Sequence, residues 1–129
     1  MSQAANIVLA DGQATPVNVT FTPESVTPAI SVFADRSASS AVGFRRLKVS
    51  NRFASGKSTV NRAAFSVEYP VTTTVNGITT QAYVLRANID LILPDQATDT
   101  ERKNLYAFLK NGLASSLIQG ALRDLDPLY

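Results

Sequence analysis

The sequence predicts an α+β chain, with an antiparallel sheet first and two helices after it. Three observations carry that prediction. Apolar and polar residues alternate with period two through most of residues 29–93, the rhythm of a sheet with one dry face. Two turn dipeptides, Asp11-Gly12 and Asn76-Gly77, sit between apolar runs. After Pro94 the apolar spacing changes to three and four, and a helix-start signal appears.

The elements follow in order. Residues 6–22 predict a hairpin, with Asn6–Leu9 against Val17–Phe21 around Asp11-Gly12. Pro23 and Pro28 interrupt the next segment, and residues 29–34, "AISVFA", form a short strand. "DRSASSAVG" is a loop by composition. Residues 44–53 form a strand, and "ASGKS" at 54–58 is a turn. "VNRAAFSVEY" alternates again. Thr72–Thr80, "TTTVNGITT", reads as an exposed loop whose small, polar, glycine-containing composition suits more than one conformation. In "QAYVLRANIDLIL", Tyr83, Leu85, Ala87, Ile89, Leu91 and Leu93 share one face, and Val84, Arg86, Asn88, Asp90 and Ile92 the other. Thr98 to Glu101 fits a capping box that opens a helix carrying Leu105, Phe108, Leu109 and Leu113. Ser115 caps a second helix with Leu117, Ile118, Ala121, Leu122 and Leu125, ended by Asp126-Pro127. The helical region is thus 98–125, and 129 residues suit one domain.

Charge is distributed unevenly. The net charge is only +2, yet seven of the twelve basic residues lie between Arg36 and Arg62, and no Asp or Glu occurs from Arg36 through Val67. Within that stretch "RRLKVSNR" places Arg46, Lys48, Ser50 and Arg52 on alternate positions, with Leu47 and Val49 between them. A strand with Leu47, Val49, Phe65, Val67, Leu85, Ala87 and Ile89 on its sheet's dry side carries Arg46, Lys48, Ser50, Arg52, Ser66, Arg86 and Asn88 on the other. Such a face offers cations and hydrogen bonds to phosphates and base edges, so a polyanionic partner is expected.

Enzymatic readings are weak. The chain has no histidine and no cysteine. The usual general base, the usual nucleophile pairs, disulfides and the usual zinc sites are therefore missing, and no cofactor is expected. Asp99 and Glu101 are explained as favourable charge in a helix first turn. No apolar run approaches the roughly 18 residues of a membrane span, and the start lacks the pattern of a signal peptide. A cytosolic protein without membrane or small-molecule partners is expected. The helices carry more apolar residues than one short pair on one sheet needs, so a subunit partner is a candidate for the surplus.

The last third, "QAYVLRANIDLILPDQATDTERKNLYAFLKNGLASSLIQGALRDLDPLY", resembles coat proteins of the single-stranded RNA bacteriophages (levivirus type). "QAY", the helix start "ATDTER", "LASSL" between the helices and the closing "LDPLY" carry the likeness. "TVNGI" and the opening "NIVLADGQATP" extend it over most of the chain. The resemblance implies an N-terminal hairpin, a five-stranded antiparallel sheet and two C-terminal helices, with an interlocked homodimer. It implies an icosahedral shell of such dimers around viral genomic RNA, assembled in a bacterial host's cytoplasm. It also implies that a dimer binds an RNA hairpin at the replicase start and represses translation.

Position by position, the resemblance places RNA contacts at Lys48, Ser50 and Arg52, then near Arg62, Ala64, Ser66 and Glu68, then at Arg86 and Asn88. Ser50, Arg52 and Asn88 match residue types seen there. Lys48 and Ala64 stand where Thr is frequent, Ser66 where Lys is, and Arg86 where some members have a stacking Tyr. Thr73, Thr74, Val75, Asn76, Gly77 and Ile78 are the expected inter-dimer contact segment. The reading from another class is a stand-alone RNA-binding regulator that builds no shell.

Overall fold

The computed structural model describes residues 2–129. Six strands run in the order of the sequence: β1 (Ile7–Ala10), β2 (Asn18–Val26), β3 (Ile30–Asp35), β4 (Arg45–Arg52), β5 (Val60–Val75) and β6 (Ile78–Pro94). Two helices follow, α1 (Asp99–Ala114) and α2 (Ser116–Arg123). Each strand pairs with its sequence neighbours, antiparallel in each of the four pairs from β1 to β5. The expected hairpin plus five-stranded sheet is therefore one six-stranded order, because β2 is shared. Its first half pairs with β1 and its second half with β3.

Close packing divides the chain into two units, one ending at Ile92 and one from Leu93 to Tyr129. In the first, the core lies on one side of the sheet. Phe21, Phe33 and Leu47 are buried, and Ala4, Ile7, Val19, Val49, Phe65 and Val67 pack against them. Leu47, only 1% exposed, is opposite Phe33 on one side and Val67 on the other. This is the dry face that the alternation predicts for β4 and β5. On β6 the cover is uneven: Tyr83 is 60% exposed and Leu85 55%, while Ile89, Leu91 and Leu93 are half-buried.

Asp35 sits in this layer at 4% exposure. A buried carboxylate needs partners, and the neighbouring strand and the loop after β3 supply them. Arg45, directly opposite on β4, donates from Nε at 2.8 Å, and Ser37 donates its amide and its hydroxyl at 3.0 Å each. The Arg45 guanidinium also lies over the Tyr69 ring, 5.3 Å from its centre. The loop between β3 and β4 includes a 3-10 turn at Ala41–Gly43. A Cβ on Gly43 would come within 3.1 Å of Ala38 and 3.3 Å of Thr72, so only glycine fits that approach without displacement.

One expectation is corrected on β5 and β6. Thr72–Thr80 is exposed, apart from half-buried Thr79, but it is not a loop. The strands run to Val75 and from Ile78, and Asn76-Gly77 alone makes the turn. Both turn residues have positive φ, +51° and +77°, as a two-residue hairpin with native twist requires. Thr74 and Thr79 share a side-chain hydrogen bond of 3.0 Å just below it. The threonines that suggested a polar loop are β-formers on a two-sided strand.

In the second unit the capping box is present. Glu101 donates its amide to the Thr98 hydroxyl at 3.2 Å, and the Thr98 amide donates to the Glu101 carboxylate at 2.9 Å. Asp99 pairs with Lys103 at 2.7 Å, in agreement with its helix-start role. Ser115 precedes α2 but makes no side-chain cap, and α2 ends at Arg123, so Leu125 lies beyond it with φ +56°. No residue of either helix is buried.

Candidate nucleic-acid interface

The face opposite the core is set by register. Arg46 is across from Glu68, Lys48 from Ser66, Ser50 from Ala64 and Arg52 from Arg62. Alternation puts all eight on one side of β4 and β5. Arg62 Nη1 donates to Asp90 Oδ2 at 3.1 Å, which brings β6 onto the same side. Asn88 and Arg86 share that side of β6 by the same alternation. The eight residues expected to contact RNA (Arg46, Lys48, Ser50, Arg52, Arg62, Ser66, Arg86 and Asn88) therefore stand on one continuous face. Towards β3 the face turns apolar, since Val32 is opposite Lys48 and Ile30 opposite Ser50.

A recess of about 560 Å³ opens in the middle of this face. Ser50, Arg52, Arg62, Ser66, Asn88 and Asp90 are among its lining residues. Hydroxyls and an amide here offer both donors and acceptors, which a base edge needs. Ala64, a small side chain, is also part of the lining.

The electrostatics differ from the charge count along the chain. Three cations of the face are already paired. Arg46 Nε donates to Glu24 Oε2 at 3.1 Å, Lys48 Nζ donates to Glu68 Oε1 at 3.1 Å, and Arg62 holds Asp90. Glu24 reaches Arg46 from an irregular stretch of β2, where the register shifts between Pro23 and Ser25. Arg52 and Arg86 make no ion pair among the described residues. Arg52 faces Arg62 across the ladder, and Asp90 compensates only the latter. The uncompensated positive charge is thus concentrated at the Arg52 end of β4 and at Arg86.

The acid partners were missed from sequence because each is far along the chain from the cation it holds, 22, 20 and 28 residues away. The strand phase of Glu68 and Asp90 carried the signal, since both fall on the polar side of their strands. Arg36 was also missed. Its guanidinium lies 5.7 Å from the centre of the Phe44 ring, and Arg46 lies 5.8 Å from the same ring. Such pairs hold the cations at the surface without neutralising them.

Among the described residues no cluster of carboxylates suits a metal ion, and no helix is long and apolar enough to cross a membrane.

A family model described as "Levivirus coat protein" matches residues 2–129. Among solved structures, the virus-like particle of bacteriophage ESE058 is 32% identical, covering 99% of this chain and 100% of that one, with a TM-score of 0.87. The virus-like particle of bacteriophage NT-214 is 26% identical over 99% and 100%, with a TM-score of 0.89. The bacteriophage GA protein capsid is 25% identical over 97% of each chain, with a TM-score of 0.75. No curated protein matches the chain.

Proposed function

The chain belongs to the levivirus coat protein family, so it is a structural capsid protein and not an enzyme, and from that premise we propose that its copies pair as dimers, close into an icosahedral shell and hold viral RNA on the polar sheet face. The observation that carries the pairing is the bare edge of β6. It is the last strand in the order and 17 residues long. A long unpaired edge is a template for another strand. A second copy's β6 satisfies it and continues the sheet across the dimer.

Apolar exposure supports the same reading. Tyr83 and Leu85 on β6, Tyr106 and Phe108 on α1, and Leu117 and Leu122 on α2 are all more than half exposed. On the core side of the sheet a recess of about 790 Å³ is lined by Ile7, Val26, Phe33 and Val49, among others. Helices of a partner copy laid over such a side bury apolar surface on both chains, worth about 25 cal/mol per Å².

The RNA role rests on the opposite face. Arg52 and Arg86 meet phosphates, with Arg46, Lys48 and Arg62 joining when RNA displaces their carboxylates. Ser50, Ser66 and Asn88 meet base edges or sugar hydroxyls in the recess. On this reading a dimer binds an RNA hairpin at the replicase start and represses its translation, and the shell forms in the host cytoplasm. The hairpin tip, Thr73 to Ile78, touches neighbouring dimers in the shell.

Filter binding of the purified protein to its own replicase-start hairpin and to random RNA tests the interface. Ser50→Ala and Asn88→Ala are expected to cost on the order of 1–3 kcal/mol against the hairpin and less against random RNA. Equal losses on both RNAs remove the base-reading role.

A further inference from the structure

We propose that Arg36, in the loop between β3 and β4, holds an RNA phosphate at a preformed corner it shares with Phe44 and Arg46; this rests on the polar face being the RNA face. Contacts place the corner on that face. Arg46 stands across from Glu68, on the side opposite buried Leu47. The Arg46 guanidinium lies 5.8 Å from the centre of the Phe44 ring, and the Arg36 guanidinium lies 5.7 Å from it. Ring and both cations therefore gather at one end of the polar side. Strand phase agrees: Arg36 follows Asp35, Phe44 precedes Arg45, and Asp35 and Arg45 meet on the core side.

The corner is fixed on both flanks. Asp35, before Arg36, accepts from Arg45 Nε at 2.8 Å, and Ser37, after it, donates its amide to Asp35 Oδ1 at 3.0 Å. The Phe44 amide donates to the Ala41 carbonyl at 3.2 Å and the Gly43 amide to the Ser40 carbonyl at 3.0 Å. Phe44 is half-buried, so its ring braces the guanidiniums rather than offering a free face. A guanidinium held on a ring has less freedom left to lose when it takes an anion.

Charge and position select the anion. Arg46 already holds Glu24 at 3.1 Å, so the chain itself supplies that cation with a carboxylate. Arg36 is exposed and makes no ion pair among the described residues. The corner thus keeps one uncompensated cation. None of its three residues lines the recess that contains Ser50 and Asn88, and Arg46 is about 20 Å along β4 from Arg52. It therefore serves charge and not base reading. Lys48, Arg46 and Arg36 continue a row of cations away from the recess, and a polyanion answers a row where a single carboxylate does not. A phosphate also presents the paired acceptor oxygens that a guanidinium takes two at a time.

The test titrates the full chain with single-stranded oligouridylate and oligoadenylate of equal length at several salt concentrations. Arg36→Ala is expected to bind both roughly 5-fold more weakly at about 0.1 M salt and to lower the slope of log affinity against log salt by about 0.7, one phosphate contact on a single strand. Arg36→Lys keeps the slope. Phe44→Leu also keeps it, because both cations remain, yet binds roughly 2- to 5-fold more weakly for want of the brace. Wild-type affinity in Phe44→Leu removes the brace. An unchanged slope in Arg36→Ala overturns the site, and so does an equal fall in Lys57→Ala, an exposed cation on the turn after β4. A loss confined to one of the two RNAs makes Arg36 a base reader and overturns the phosphate role. Unchanged RNA binding with failed particle assembly assigns Arg36 to a carboxylate of a neighbouring copy instead. Arg52→Ala, run alongside, separates the premises. If it and Arg36→Ala both bind like wild type, the RNA face itself is wrong. If it lowers the slope and Arg36→Ala does not, only the corner falls.

Discussion

At the residue scale, charge pairing decides what each cation does. Arg52 makes no ion pair among the described residues, so on the proposed reading its loss removes a full phosphate contact. Arg52→Ala is expected to lower the slope of log affinity against log salt by about 0.7–0.9. Lys48→Ala removes less, because the ammonium already holds Glu68 at 3.1 Å. Glu68→Gln releases Lys48 and is expected to tighten binding to every RNA, most at low salt. Titration at several salt concentrations checks all three. Asp35 is the other residue with a distinct signature. Burial pushes its carboxyl pKa up, but hydrogen bonds from Ser37 and Arg45 and the charge of Arg45 outweigh that and hold it below the ordinary value. A lowered folded-state pKa means stability that is present above the unfolded value, about 3.9, and lost as pH falls through the folded one. Asp35→Asn is expected to cost on the order of 1–3 kcal/mol near neutral pH. The gap from wild type narrows in acid, as chemical unfolding across pH would read.

At the element scale, the β5–β6 hairpin and α1 carry their own tests. Gly77 at φ +77° tolerates no β-branched side chain without strain. Gly77→Val is expected to destabilise the hairpin by about 1–2 kcal/mol, seen as a lower unfolding midpoint. Val75 and Ile78 flank the turn and are more than 60% exposed. Replacing both with Ser leaves the turn geometry intact. Subunits that fold yet build altered or fewer shells, by electron microscopy, support the assembly role, and unchanged shells remove it. A two-residue turn has little room to switch conformation, so any adjustment between shell positions falls to bending of the strand arms. Thr98→Ala removes the cap of α1 and is expected to cost about 1 kcal/mol.

At the scale of the whole molecule, the chain is apolar in the wrong places for a lone subunit. Only five apolar residues are buried among those described, Phe21, Phe33, Ala34, Leu47 and Pro70. For a chain of this length that is a thin core, and no residue of either helix is buried. Light scattering behind size exclusion is expected to show dimers or larger particles and no stable species at 13.8 kDa. A persistent monomer of that mass would sink the dimer reading.

Local physics made much of this legible from sequence. Period-two alternation located β4, the first part of β5 and β6, because one dry face imposes it wherever the chain runs. The Thr98–Glu101 box located the start of α1, because capping is satisfied within four residues. Asn76-Gly77 was visible as a turn, though the strands beside it were not, since threonine serves loops and strands alike. What sequence left open depends on distant partners. The three carboxylates that quiet Arg46, Lys48 and Arg62 come from β2, β5 and β6. Only the register of the sheet brings them within about 3 Å, so only the tertiary structure decided which cations remain free. The sequence by itself determined that one face is basic, since alternation is a property of each strand alone. Where on that face the charge is uncompensated is a property of pairs of strands, and it is settled by pairing that no local pattern encodes.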